Sequence, residues 1–288
     1  MTHLADAERS LRDGDLDGAL VRLQDAVRRE PAKAAYRTFL FQLLAVRGEW
    51  QRAERQLGVV GDLDAAALPM VQTYREALHA EALRADVFAG RRQPHVLGRP
   101  EPWFALLLEA LRLTAAGEHR AAGEARARAF EEAPASAGTI DGARFAWIAD
   151  ADTRIGPALE VILSDGYYWV PFSRVRRVEI EPPADLRDLV WTPAIFTWTN
   201  EGQTVGLIPT RYPGSEASPD SGVRLARRTE WREAAPEVFL GLGQRLLATD
   251  AGDHALLDVR RIELDAAEED AATGGGEAAT GGGGAADV

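Results

Sequence analysis

The chain has 288 residues, 46% apolar and 27% charged, the composition of a globular protein long enough for two ordinary domains. Its formal net charge is −12, but residues 265–288 supply six acidic charges and no Lys or Arg, leaving −6 on the rest; that mild acidity excludes a general nucleic-acid binder and disfavours an anionic membrane surface. The absence of cysteine removes disulfides, thiolate metal sites and cysteine nucleophiles together.

The opening stretch from Met1 to Glu8 is acidic and lacks the apolar core of a secretory signal. No apolar run reaches the roughly 18 residues of a membrane span, so a cytoplasmic protein is expected. Ala, Leu, Arg and Glu at helical spacing dominate the first 135 residues. The word Arg12-Asp13-Gly14-Asp15-Leu16-Asp17-Gly18-Ala19 returns as Val46-Arg47-Gly48-Glu49-Trp50-Gln51-Arg52-Ala53, with Gly14 and Gly48 34 residues apart, the length of a tetratricopeptide unit. A third copy, Ala116-Gly117-Glu118-His119-Arg120-Ala121-Ala122, sets Gly117 69 residues beyond Gly48, close to two periods. Gly lets paired helices turn tightly, Ala lets them approach, and Pro31 and Pro134, each 17 residues after a repeat glycine, stop the second helix. The spacing predicts about three helical hairpins, with 67–102 irregular apart from a long helix over roughly 69–89.

Tyr36, Phe39, Leu40, Phe41, Leu43 and Leu44 offer more apolar surface than one inter-helix seam requires. Stacked hairpins form a concave face where a partner's amphipathic helix can lie, which makes Tyr36, Phe39, Leu40 and Leu43 candidate partner-binding residues. The alternative is that they meet the neighbouring hairpin.

After Pro134 the texture turns to Trp, Tyr, Val, Ile, Pro and Gly, a β-rich signature with a boundary near 134–142. Val161 and Leu163 alternate before Asp165-Gly166 and Tyr167 and Trp169 after it, predicting a two-residue hairpin turn. Strands are expected near 174–181, 189–198, 204–208, 223–230 and 256–263, with helices from near Pro157 and over Leu240 to Ala248. The fold class is α+β: tetratricopeptide-like hairpins over 1–138, then a β-rich bent sheet or partial barrel over 139–264. Residues 265–288 bury too little apolar surface to offset chain entropy and are expected to be disordered.

Chemical motifs are sparse. His3, His79, His95, His119 and His254 lack metal-ligand spacing, and neither a phosphate loop nor a nucleophile elbow is present. Gly241-Leu242-Gly243 opens like a dinucleotide loop but meets Leu246 at the third glycine position, and reads as a turn into a helix. Asp150, Asp152, Asp165 and Asp188 are the best enzyme-like set, because close carboxylates can hold a divalent cation or divide acid and base roles. The structural reading makes Asp150 or Asp152 a helix cap, puts Asp165 in its turn and pairs Asp188 with Arg187 or Arg211. Arg174, Arg176 and Arg177 form the densest basic cluster, on a strand where only two can share a face; they serve a solvated strand edge or an acidic partner. Trp169, Trp191, Trp198 and Trp231 read mostly as core. Arg211-Tyr212-Pro213-Gly214-Ser215-Glu216 reads as an exposed, polar, functional loop, with a salt-bridged structural turn as the alternative. Arg211, Tyr212 and Glu216 therefore join the candidate partner-binding residues, and no cofactor or metal is expected.

Several words occur in fixed order: Trp147-Ile148-Ala149-Asp150-Ala151-Asp152, Tyr167-Tyr168-Trp169-Val170-Pro171-Phe172, Glu181-Pro182-Pro183 with Leu186-Arg187-Asp188-Leu189-Val190-Trp191, Pro209-Thr210-Arg211-Tyr212-Pro213-Gly214-Ser215-Glu216, Arg227-Arg228-Thr229-Glu230-Trp231 and Leu257-Asp258-Val259-Arg260-Arg261. Over roughly 115 residues this series resembles the ImpE/TagJ family of type VI secretion accessory proteins. The resemblance implies a non-enzymatic adaptor that binds the small contractile-sheath subunit, through that subunit's N-terminal helix, and is linked to the AAA+ ATPase that disassembles the sheath. A general helical-repeat peptide scaffold and a metal-dependent hydrolase using Asp150, Asp152 and Asp188 are the alternatives.

Overall fold

The computed structural model describes residues 3–98, 101–235 and 238–266. Seven helices come first: α1 (His3–Arg12), α2 (Leu16–Arg29), α3 (Ala34–Val46), α4 (Trp50–Leu63), α5 (Leu68–Phe88), α6 (Pro102–Ala115) and α7 (His119–Glu132). The three repeat glycines sit where the spacing put them, between α1 and α2, α3 and α4, and α6 and α7, at φ of 79°, 71° and 78°. This left-handed conformation, open to glycine without penalty, lets the next amide reach five residues back: Asp15 N–H donates to Ser10 O at 2.8 Å, Glu49 to Leu44 O and Glu118 to Leu113 O at 2.9 Å. Ala19, Ala53 and Ala122, each five residues past its glycine, are fully buried where the paired helices approach. α5 spans 21 residues and runs through the middle of the molecule, touching α4, α6 and the sheet.

Strands take over from residue 138: β2 (Gly138–Ile140), β3 (Ala143–Phe145), β4 (Ile148–Asp150), β5 (Ala158–Leu163), β6 (Gly166–Pro171), β7 (Val175–Ile180), β8 (Trp191–Trp198), β9 (Gln203–Pro209), β10 (Thr229–Ala235), β11 (Val238–Gly243), β12 (Leu246–Thr249), β13 (Gly252–Ala255) and β14 (Arg261–Leu264). The short β1 (His95–Val96) comes from the helical half and pairs in parallel with β6. Nine strands form one open sheet in the order β1-β6-β5-β9-β8-β7-β14-β2-β3; β13-β12-β4 and β10-β11 form smaller sheets. Among the described residues no helix is long and apolar enough to cross a membrane.

Four local expectations are corrected. The hairpin loop is Ser164-Asp165, with Gly166 already paired to Leu163, one residue earlier than the Asp-Gly reading. Residues 223–230 split into a helical turn, α8 (Ser221–Arg224), and the start of β10. No helix starts near Pro157, which leads into β5, and Leu240 to Ala248 is not helical but divided between β11 and β12. Gly241 explains the last difference, since a Cβ there would stand 2.3 Å from the Tyr212 ring; the glycine lets β11 lie flat on that ring. Of the tail expected over 265–288, residues 267–288 lie outside those described, while Asp265 is held by Arg144 and donates its amide to Ala137 O at 2.9 Å.

One apolar cluster joins the helices to Trp169, Trp191 and Leu207 of the sheet and to Val190 just before β8, and a second fills the far side of the sheet around Phe172, Phe196 and Ile262. Trp169, Trp191 and Trp198 are core, whereas Trp231 is 39% exposed and tilts against Tyr212.

Candidate functional site

Where helices meet sheet, charge is sunk into the core. Arg84 of α5 grips Glu160 of β5 through Nε at 2.7 Å and Nη2 at 3.1 Å, and Arg245, fully buried, bridges Glu160 and Asp150. Tyr167 donates to the same Glu160 and receives the indole N–H of Trp169 at 2.6 Å, while Trp191 donates to Glu81 at 2.9 Å. Burial alone would raise Glu160, but Arg84 and Arg245 outweigh it and hold the carboxyl down to about 2. Asp150 goes the other way: burial pushes it up to about 7, only partly opposed by Arg245. A seam this closely matched joins two layers, with each of its carboxylates bound to a guanidinium.

The other Asp side chains are equally occupied. Asp152 is held by Arg154 and by the Gly241 amide at 2.9 Å, and Asp165 accepts from Tyr168 at 2.9 Å. Asp188 accepts from the amides of Ala184 at 2.8 Å and Asp185 at 3.0 Å; its expected arginine partner is replaced by this backbone cap. Among the described residues no three His, Asp or Glu gather in a way that could hold a metal ion. The arginine cluster disperses too: Arg174 pairs with Glu101, Arg176 with Glu201 and Arg177 with Glu263, and β7 lies inside the sheet rather than at its edge.

The 211–216 segment is not the exposed loop the sequence suggested. Arg211 is 3% exposed and Tyr212 0%. Arg211 donates to the carbonyls of Val46 at 2.8 Å and Ala45 at 3.4 Å, so it caps the C-terminal end of α3, where orphan carbonyls and the helix dipole favour a cation. Its own carbonyl accepts from Arg84 at 2.7 Å. The Tyr212 hydroxyl exchanges hydrogen bonds with the backbone of Leu246, and half-buried Glu216 lies over Gly48. The segment clasps the helical array to the sheet.

An open surface lies on the other side of α3. An open groove of about 760 Å³ runs between α1, α3 and the segment from Pro183 to Leu189. Leu4, Glu8 and Leu11 present one helical face to it at i, i+4 and i+7; Ala35, Thr38, Phe39 and Gln42 present another at i, i+3, i+4 and i+7. Leu186 and Leu189 of the short 3-10 turn form the third wall. α1 and α3 are the first helices of their hairpins. Of the residues singled out on α3, only Phe39 lines the groove; Tyr36, Leu40 and Leu43 are buried, with the Tyr36 hydroxyl tied to Lys33 and Glu30. The apolar excess on α3 is thus spent mostly on the protein's own core. Burial raises Asp185 at the rim, against the pull of Arg187 at 2.9 Å.

The described architecture is thus a set of helical hairpins clasped to an open sheet, with a groove between α1, α3 and the 183–189 segment. Residues 142–263 match the ImpE protein family. A relative from Pseudomonas aeruginosa, the type VI secretion system accessory component TagJ, is 53% identical over 259 residues, covering 90% of this chain and 91% of its own. The crystal structure of protein VPA1032 from Vibrio parahaemolyticus superposes with a TM-score of 0.82 at 24% identity, over 92% of this chain and 99% of that one, which shows a shared fold. The chain belongs to the ImpE/TagJ family.

Proposed function

We propose that this protein is a non-enzymatic accessory component of a type VI secretion system that captures an amphipathic helix of the small sheath subunit in the α1/α3 groove. Through that grip it links the sheath to its disassembly ATPase. The observation that carries the reading is the groove itself: two helical faces at helical spacing with Leu186 and Leu189 as the third wall, in a chain 53% identical to TagJ. A helix laid there would bury its own i, i+3, i+4 and i+7 positions against matching rows. The groove lies in the helical region read over 1–138, with one wall from the region read over 139–264, so the full chain is the binding unit.

The test is fluorescence anisotropy of a labelled N-terminal helix peptide from the neighbouring gene's sheath subunit, titrated with the full chain. Micromolar binding is expected, together with at least a tenfold loss in Phe39→Asp, since a charge would be buried against an apolar partner face. Binding that survives both Phe39→Asp and Leu4→Asp would remove the groove from the mechanism.

A further inference from the structure

A second candidate site lies on the opposite end of the helical array, around Arg126 of α7. This guanidinium is 5% exposed, yet among the described residues it has no ion-pair partner; its only hydrogen bond is from Nη2 to Thr114 Oγ1 at 3.0 Å. Two guanidinium groups, Arg126 and Arg154, share the field of one carboxylate, Asp152, and that carboxylate is already bound to Arg154 and to the Gly241 amide. A buried cation left short of negative charge costs stability, and its natural complement is an anion.

The cavity around it is about 560 Å³. Seven buried side-chain polar atoms among the described residues lack a partner, and three of them, Arg126 Nε, His119 Nδ1 and Thr153 Oγ1, belong to residues lining this one cavity. Such clustering marks a place and not scattered imperfection. Phe130 and Thr153 also line an adjoining apolar pocket of about 400 Å³ that includes Trp147, which is 41% exposed. The two pockets meet at the Phe130 ring.

We infer that this double pocket binds a carboxylate beside an apolar group, as an acidic side chain next to an aromatic or aliphatic one on a partner segment would present them. The carboxylate takes the Arg126 guanidinium; the apolar group lies between Phe130 and Trp147. Of the charged residues lining the two pockets, Arg120 and Glu124 pair with each other at 3.5 Å and Asp150 is held by Arg245, so among the described residues Arg126 leaves one positive charge without an ion-pair partner, which matches a monoanion better than a phosphate dianion. This site is separate from the α1/α3 groove and does not rest on it.

The experiment uses the full chain with three probes: 3-phenylpropionate, acetate and inorganic phosphate. The side-chain Nε–H signal of Arg126 is followed by heteronuclear NMR, and Tm by calorimetry. 3-Phenylpropionate is expected to move the Arg126 signal saturably and to raise Tm by about 3 °C near saturation, with acetate weaker and phosphate weakest. Arg126→Met should fold with unchanged or higher Tm, because it removes an uncompensated buried charge, and should lose the probe-dependent rise. An Arg126 signal that no probe shifts, or an equal Tm rise in Arg126→Met, overturns the site. Preference for phosphate overturns the carboxylate assignment.

Discussion

The two ends of α3 meet opposite environments. Its C-terminal carbonyls lie under the Arg211 guanidinium, beside a seam where each buried charge has a fixed partner; its N-terminal half, through Ala35, Thr38 and Phe39, faces an open groove. The difference teaches which sequence features mean what. The most conspicuous words, Tyr-Tyr-Trp, Leu-Arg-Asp-Leu-Val-Trp and Arg-Tyr-Pro-Gly-Ser-Glu, build the joint, because a buried seam needs particular donors and acceptors in particular places. The groove needs only apolar side chains at helical spacing, which any helix can supply.

Breaking the seam should therefore cost far more than breaking the groove. Arg245→Met strands Asp150 and leaves Glu160 to Arg84 and Tyr167 alone, and is expected to destabilise the protein by about 3–5 kcal/mol. Phe39→Asp, at a half-buried position at the edge of the core, should cost about 1–2 kcal/mol while weakening peptide binding at least tenfold. Urea unfolding of both variants tests the contrast. A loss below about 1 kcal/mol for Arg245→Met would mean that the seam stabilises far less than a buried, fully paired network should.

Next in size is a pair of glycine substitutions. Gly241→Ala drives a Cβ to within 2.3 Å of the Tyr212 ring, which the Leu246 backbone and Trp231 hold in place, so overpacking should cost about 1–3 kcal/mol. Gly58→Ala, within α4 and with nothing within 4 Å of the new methyl, should instead stabilise by about 0.4–1 kcal/mol. Opposite signs are the prediction; a harmless Gly241→Ala would remove the stated reason for glycine in β11.

Gly241 also marks the limit of what the sequence discloses. The repeat glycines were legible because a tight inter-helix turn is a local event, dictated by a few neighbouring residues and repeated at a fixed period. Leu240 to Ala248 misleads because a short apolar run carries no clear period, and the feature that makes it strand is a ring 29 positions earlier in the chain. Arg211 misleads for the same reason: its partners, the carbonyls of residues 45 and 46, are about 165 positions away, so a polar word reads as surface although it is core. The groove draws on residues 4–12, 34–42, 64 and 183–189, and of its lining only Phe39 was among the partner-binding candidates, although Pro183, Leu186 and Leu189 belong to the words that carry the family resemblance. Long-range assembly leaves no trace in local pattern.

The finest contrast is within the seam, between its two carboxylates. Glu160 sits at about 2 in the folded protein against an ordinary 4.5, so its contribution to stability is complete above pH 4.5 and is lost as pH falls toward 2. Asp150 sits at about 7 against 3.8, so the folded state holds the proton more tightly there, and stability rises as pH falls from 7 toward 3.8. The two limbs run in opposite directions and meet near pH 4. Asp150→Asn removes the upper limb alone and keeps an oxygen for Arg245. Chemical denaturation across pH 3 to 8 should give a difference curve, wild type minus Asp150→Asn, that climbs as pH drops from 7 to 4 and is flat below that. Parallel curves over that window would mean that Asp150 is ionised throughout, with Arg245 neutralising it against burial, and the seam would then contain two fixed anions in place of one anion and one titrating acid.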